Sequence, residues 1–176
     1  MRSATPRQFD NEQDLYTAAL RALMRRAHSV HEMKEYLERR AASKDLIAPV
    51  LTRLKEQKYL DDARYALDFV RLHAQSRRQG RFRIARELRA RGVLDRHIEA
   101  ALDSIFAETD ESSLIRARLK RRLARLRGPL DQRKLASLYR SLLAAGFSAD
   151  AIRTELRSIT RGDLPGLPES SEPMLP

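Results

Sequence analysis

Apolar residues in this chain recur in steps of four, ten, four and three, and the whole set then repeats. Met33, Leu37, Ile47, Leu51 and Leu54 return as Ile84, Leu88, Ile98, Leu102 and Ile105, each 51 residues on. They return again as Leu138, Leu142, Ile152, Leu156 and Ile159, a further 54 residues along. A four-residue step keeps two side chains on one helical face, and a ten-residue step spans a turn. Each set therefore predicts two helices with apolar stripes, joined by a short corner. Gly92 and Gly146 occupy equivalent places in two corners, followed by Val93 and Phe147. That is the pattern of a helix ending in a glycine of positive φ.

A further helix precedes each pair, with stripes expected at Leu15, Ala19 and Leu23, at Tyr65, Phe69 and Leu72, and at Leu119, Leu123 and Leu126. The chain thus divides into three tandem three-helix repeats, 14–60, 61–107 and 108–160, between a flexible segment 1–13 and a disordered tail 161–176. The tail holds four prolines and no periodicity. Ser29 and Glu32 fit a capping box, and Asp61, Asp95 and Ser148 sit where N-caps are expected. Pro49 is compatible with its helix only if that helix starts late or its first turn is distorted. Units of about 50 residues build small cores and must lean on their neighbours, so an elongated, curved array is expected.

Composition agrees. Leucine and alanine together number 49, against 17 for valine, isoleucine and threonine, which favours an all-α fold. The absence of cysteine excludes disulfides, thiolate catalysis and Cys-ligated zinc. No apolar run approaches a membrane span and residues 1–10 have no apolar signal core, so a soluble, cytoplasmic protein is expected.

The net charge of +11 is uneven: residues 108–160 alone carry 12 basic and 6 acidic side chains. This implies a polyanionic partner, either nucleic acid or an acidic protein surface. The 29 arginines against 6 lysines are also compatible with GC-rich coding and solvated helix faces. No catalytic constellation emerges. His28, His31, His73 and His97 are scattered, Asp61–Asp62 reads as a helix cap, and the glycines form no phosphate loop. No enzyme activity, metal or cofactor is expected.

Two basic clusters carry the functional reading. The first comprises Arg71, Arg77, Arg78, Arg81, Arg83, Arg86, Arg89 and Arg91, with Glu87 the one acid in that stretch from residue 77. With Ile84 and Leu88 inward, Arg83, Arg86 and Arg89 are expected to face outward together. Phe82 leaves the same stripe; packing against an adjoining repeat is favoured over stacking on a base. The second cluster is Arg116, Arg118, Lys120, Arg121, Arg122, Arg125 and Arg127, with no acid among them. So many like charges on three turns repel one another unless a polyanion neutralises them. A membrane-surface helix would look similar, but its apolar face is needed to complete the third unit.

The residues also resemble a known family. Lys58-Tyr59-Leu60-Asp61-Asp62-Ala63-Arg64-Tyr65-Ala66 followed by Phe69-Val70 is similar to the GYLDDxxFA…FV signature of RecX, bacterial regulators of the RecA recombinase. Ala27-His28-Ser29 with Glu32-Met33 resembles its HSxxEL element, and Gly80 with Arg83–Arg89, Arg91, Gly92 and Val93 its GxxRIxxEL…KGI stretch. Gly146-Phe147 with Ala151-Ile152 resembles the element of the last repeat. The sequence departs from the pattern at Lys58, where a helix-ending glycine is usual, and at Arg81, where proline is common. Ala41-Ala42 replaces Lys-Gly, and Ala144-Ala145 replaces a basic pair.

The resemblance implies a non-catalytic modulator of DNA recombination, repair and the SOS response. It would lie as a monomer in the helical groove of a RecA–ATP–single-stranded-DNA filament and inhibit or tune recombinase, ATPase and co-protease activities. Arg71, Arg77, Arg78, Arg81, Arg83, Arg86, Arg89, Arg116, Arg118, Lys120, Arg121, Arg122 and Arg125 are the candidate contacts to filament or DNA. Charge and periodicity alone leave open a free-standing DNA- or RNA-binding helical repeat protein with no filament partner.

Overall fold

A computed structural model of the chain describes residues 8–126 and 128–160; the expected tail, the first seven residues and Arg127 lie outside it. Among the described residues the chain forms nine α-helices: α1 (Glu12–Arg25), α2 (Val30–Glu38), α3 (Ile47–Glu56), α4 (Asp62–Gln75), α5 (Arg81–Arg89), α6 (Asp95–Glu108), α7 (Glu111–Leu123), α8 (Gln132–Ala144) and α9 (Ala149–Thr160). They group as three tandem three-helix units, the all-α repeat fold read from the periodicity. Each unit has its own apolar cluster. Of the fifteen repeat positions, thirteen are buried, and Leu51 and Ile159 are partly buried against the same cores. Truncating a fully buried member such as Leu88 to alanine would cost about 2–5 kcal/mol.

The corners are built by one device used three times. The Gly92 amide donates to Arg89 O at 2.9 Å and the Val93 amide to Leu88 O at 3.2 Å, which satisfies two carbonyls at the helix end. Gly146 and Phe147 repeat this on Leu143 and Leu142. Lys58 and Tyr59 repeat it on Lys55 and Leu54 at the end of α3. The residue at the turning point has φ of +69° at Gly92, +88° at Gly146 and +59° at Lys58. Lys58 therefore adopts the left-handed conformation for which glycine is suited. The α2 end lacks such a residue. There Phe9 pairs with the turn instead, its amide donating to Arg40 O at 2.7 Å and its carbonyl accepting from Ala42 N at 2.8 Å. Residues Phe9 to Gln13, expected to be loose, are thus held, and Asn11 caps α1 by accepting from Asp14 N.

Two local expectations change, for Asp95 and the α4 stripe, and the late helix start required by Pro49 is met. Asp95 is the first residue of α6 and not its cap; Leu94 holds the cap position without a side-chain bond, and Asp95 pairs with Arg89. Pro49 is the third residue of α3, where a missing N–H costs nothing because first-turn donors lack helical partners. A 3₁₀ turn at Lys44–Leu46 leads into that helix. The α4 stripe is Ala66, Val70, His73 and Ala74, while Leu72 is exposed. The other sequence-read caps hold: Ser29 and Glu32 form a complete capping box, Asp61 accepts from Ala63 N and Arg64 N, and Ser148 Oγ accepts from Ala151 N.

Neighbouring units meet through polar joints. Ser29 Oγ donates to Arg91 O at 2.6 Å, and Val30 N donates to Asp62 Oδ1 at 2.8 Å. The two carboxylates of Asp61–Asp62 therefore diverge, one capping α4 and the other capping α2 across the joint. Tyr65 adds a bond from its hydroxyl to Glu32 Oε2 at 3.3 Å. Burial and the Glu32 carboxylate push that phenol up to about 12, so it remains a donor throughout the physiological range. At the second joint, Gly80 N donates to Ala145 O at 2.9 Å and Phe82 N to Gly146 O at 3.1 Å. Phe106 bridges the second and third apolar cores.

Candidate polyanion interface

The two basic clusters read from the sequence differ in how far the fold neutralises them. In the first, carboxylates meet most of the arginines, three of them close in sequence and one, Asp103, 22 residues from its partner. Arg81 pairs with Asp103 at 2.9 Å, Arg83 with Glu87 at 2.8 Å, Arg89 with Asp95 at 2.6 Å, and Arg71 approaches Asp68 at 3.8 Å. These are mostly exposed pairs, worth about 0–1 kcal/mol each. Arg91 spans the first joint: it donates to Glu87 O at 2.7 Å, lies 3.9 Å from Glu32, and its guanidinium sits 4.8 Å from the Phe69 ring centre. Arg77 and Arg86 are exposed without an ion pair among the described residues.

Arg83, Arg86 and Arg89 do not form the uniform outward row expected of them. Arg83 is partly buried at the second joint, where its backbone packs on Gly146 and its Nη1 lies 3.4 Å from Ala144 O. Ala145, which stands in place of a basic residue, is buried there, and its carbonyl receives Gly80 N. Phe82 was expected to pack on a neighbouring repeat. It is 61% exposed, so the joint uses its backbone and leaves the ring in solvent.

The second cluster retains more of its charge. Arg116 is committed internally, bonding Glu155 at 2.9 Å and Asp110 at 3.0 Å. Glu155 is buried, so removing Arg116 would strand its carboxylate. Leu114, Ile115 and Leu119 form the buried face of α7, whereas Leu126, expected in that stripe, lies beyond the helix and is exposed. Lys120, Arg121 and Arg125 are exposed and meet no carboxylate among the described residues; Arg122 bonds Ser141 Oγ.

The fold then brings the two clusters together. Arg118 Nη1 reaches Arg78 O at 3.4 Å across the joint, and Arg78 itself has φ of +49°. Arg118 Nε is buried with no hydrogen-bond partner. Burial, followed by the Arg83 and Arg122 guanidiniums, holds its pKa below the ordinary arginine value. A cavity of about 610 Å³ opens beside it, lined by Arg118, Arg121, Arg122, Arg125 and Leu126. A cavity walled by four guanidiniums suits an oxyanion such as a phosphate or carboxylate.

No group of three or more His, Asp or Glu side chains placed to hold a metal occurs among the described residues. His73 is buried between Gln79, at 2.6 Å, and the Phe69 ring, with centroids 3.8 Å apart. Asp62, which bonds Val30 N across the first joint, and Gln79, which bonds His73 and Glu87 within the second unit, carried no sequence signal of those roles. No helix among the described residues is long and apolar enough to cross a membrane.

Residues 16–54 match the first three-helix domain of RecX, and residues 61–102 match the second. The chain is 38% identical over 146 residues to the regulatory protein RecX of Halorhodospira halophila, covering 83% of this chain and 88% of that one. It belongs to the RecX family. The RecX of Pelodictyon phaeoclathratiforme is 29% identical over 89% of this chain and 94% of its own. The Bacillus subtilis RecX is 31% identical over 147 residues, but the match spans only 54% of that longer relative. The fold matches the crystal structure of RecX from Lactobacillus salivarius with a TM-score of 0.74 and 21% identity, over 85% of this chain and 97% of that one. A second RecX crystal structure matches with a TM-score of 0.69 and 22% identity, over 82% and 70%.

Proposed function

We propose that this chain is a non-catalytic cytoplasmic regulator that binds, as a monomer, in the helical groove of a RecA–ATP–single-stranded-DNA filament. There it lowers ATP turnover, strand exchange and co-protease activity. RecX membership supports the regulatory role. The observation that carries the binding surface is the acid-free face of Lys120, Arg121 and Arg125 beside the unpaired Arg118 Nε. Such a face attracts DNA phosphates or acidic protein side chains. Three units in series, joined neighbour to neighbour, suit a groove that runs past several subunits. A molecule that binds the assembled filament in one subunit arrangement resists any step that changes it, because its affinity biases that state.

The test is binding of labelled single-stranded DNA in the presence and absence of RecA with a slowly hydrolysed ATP analogue. Tighter binding with the filament, together with inhibited RecA ATPase, is expected. Equal affinity with and without RecA would favour a second reading, a free-standing nucleic-acid-binding repeat protein. The exposed Phe82 ring among arginines supports that reading, since bases stack on such rings.

A further inference from the structure

The first unit carries a basic cavity that belongs to neither of the clusters described above. It has a volume of about 510 Å³ and opens between α1, α2 and the Phe9 segment. Arg21, Arg25, Arg26 and Arg40 line it together with Tyr36 and His28, and no carboxylate residue contributes to the wall. The volume falls within the range of small-ligand sites.

The positions of these side chains are set by separate contacts. Arg26 is occupied, donating through Nη1 to both Glu32 oxygens, at 3.1 and 3.2 Å, and to Ala27 O. Arg40 lies over the Tyr36 ring, its guanidinium carbon 3.9 Å from the ring centre and its Nη1 3.4 Å from Tyr36 O. Tyr36 is fixed in turn by its hydroxyl donating to Ala18 O at 3.2 Å. His28 is buried, with Nδ1 2.9 Å from Arg26 O and its ring edge towards Tyr36. Arg21 and Arg25 stand four residues apart on one face of α1, both exposed and without an ion pair among the described residues. The carbonyl end of α1 favours one cation in its last turn, which accounts for Arg25 but not for Arg21. Like charges at this spacing destabilise a helix by a few tenths of a kcal/mol, and an anion between them would reverse the sign.

We propose that this cavity is a second binding site, taking one nucleotide unit of single-stranded nucleic acid, with its phosphate between Arg21 and Arg25 and its base on the Arg40–Tyr36 stack. Guanidiniums fork onto phosphate oxygens, and a guanidinium plane backed by an aromatic ring offers a face on which any base can stack. The same chemistry would admit a free mononucleotide, so the experiment separates the two. The site stands independently of the filament reading, because it requires no RecA.

The full chain is titrated without RecA against a labelled thymidine oligonucleotide at several salt concentrations, alongside Arg21→Gln with Arg25→Gln. Loss of two phosphate contacts should weaken binding by about tenfold at low salt and flatten the log–log salt slope by about 1.4. Circular dichroism and melting should be unchanged, as both side chains are exposed. Arg21→Lys with Arg25→Lys keeps the charge and should recover most of the slope. An equal loss from Arg133→Gln with Arg140→Gln on α8 would overturn the proposal, because it would mean bulk charge alone. So would unchanged affinity in the Arg21/Arg25 variant. If thymidine monophosphate alone protected the cavity while oligonucleotide binding ignored both substitutions, assignment to a strand would be overturned. None of these outcomes depends on RecA, so the filament reading stands or falls on its own test.

Discussion

Gly80 and Gly146 meet backbone against backbone at the joint between the second and third units, so closely that a Cβ on Gly80 would collide with the Gly146 carbonyl. The first joint is built the same way one repeat earlier. Ser29 stands 51 residues before Gly80 and donates to Arg91 O, which lies 54 residues before the Ala145 carbonyl that Gly80 N engages. His31 abuts Gly92 as the start of α5 abuts Gly146. The start of each unit's second helix therefore docks on the corner of the next unit. Gly80 has φ of −80°, which any residue adopts, so Gly80→Ala isolates the steric term. It should cost about 1–3 kcal/mol, as overpacking does, and should expose the segment around Arg78–Gly80 to protease. Urea melts that match the parent within about 0.3 kcal/mol, well inside that cost, would show that the joint opens freely.

Lys58 offers the opposite case. Its φ of +59° ends α3 in the conformation that Gly92 and Gly146 adopt without a side-chain penalty. Lys58→Gly should raise stability by about 1 kcal/mol, since the left-handed conformation costs an ordinary residue about 1–2 kcal/mol and glycine's unfolded-state entropy returns part of that. Thermal melting checks this. A lower melting temperature would mean that the lysine side chain contributes contacts outweighing its backbone strain.

Histidine burial gives the fold a pH dependence. Burial lowers the pKa of His73, with Arg77 and Arg91 adding, and these outweigh the Gln79 hydrogen bond and the Glu87 carboxylate 3.5 Å away. The approach to Glu87 is accordingly a neutral contact at pH 7. Burial and then Arg26 lower that of His28, against the Arg26 carbonyl and Glu32. A folded pKa below the ordinary value near 6.5 means that the unfolded chain binds more protons in that window. Stability is therefore full above about pH 6.5 and falls as the pH drops towards the folded values. The Glu32 and Glu87 carboxyls act lower down. Burial would raise them, but bonds from Arg26 and Ser29 to Glu32 and from Arg83 to Glu87 prevail and hold both below the ordinary value. Their contribution is lost at more acid pH, below about 4.5. Urea midpoints at pH 7, 6 and 5 should decline for the parent and less steeply for His28→Asn with His73→Asn. Parallel declines would remove the histidines from the account.

The core was legible because a repeat fixes spacing, and spacing fixes which face is buried; the steps of four, ten, four and three needed no knowledge of neighbours. The α4 stripe was misread for a physical reason. Tyr65 and Phe69 pack against that core only partly buried and Leu72 is exposed, while the fully buried positions go to the smaller Ala66, Val70 and Ala74. The charge of the interface was legible in amount but not in distribution. Arg81 meets an acid 22 residues away and Arg116 one 39 residues away, and such partners exist only once the helices of each unit have packed. The joint explains Ala145 as well, though not the exposed Ala144. Ala145 is buried where a long basic side chain would have to leave the Gly80 contact.

That redistribution decides which charges matter. Arg81, Arg83 and Arg89 already have carboxylate partners, so replacing them removes little free charge and disturbs internal pairs. Lys120, Arg121 and Arg125 have none among the described residues, and replacing all three by glutamine should leave folding nearly intact, at less than about 0.5 kcal/mol each. If they contact phosphates of a single strand, the log–log salt slope of binding should flatten by about 2. If they meet acidic groups of a protein filament, affinity for the filament should fall while binding to free DNA stays nearly constant. Arg153→Gln with Arg157→Gln on α9 is the control for bulk charge. A loss there that matches the α7 variant, charge for charge, would place the effect in the field of the whole molecule and not on the α7 face.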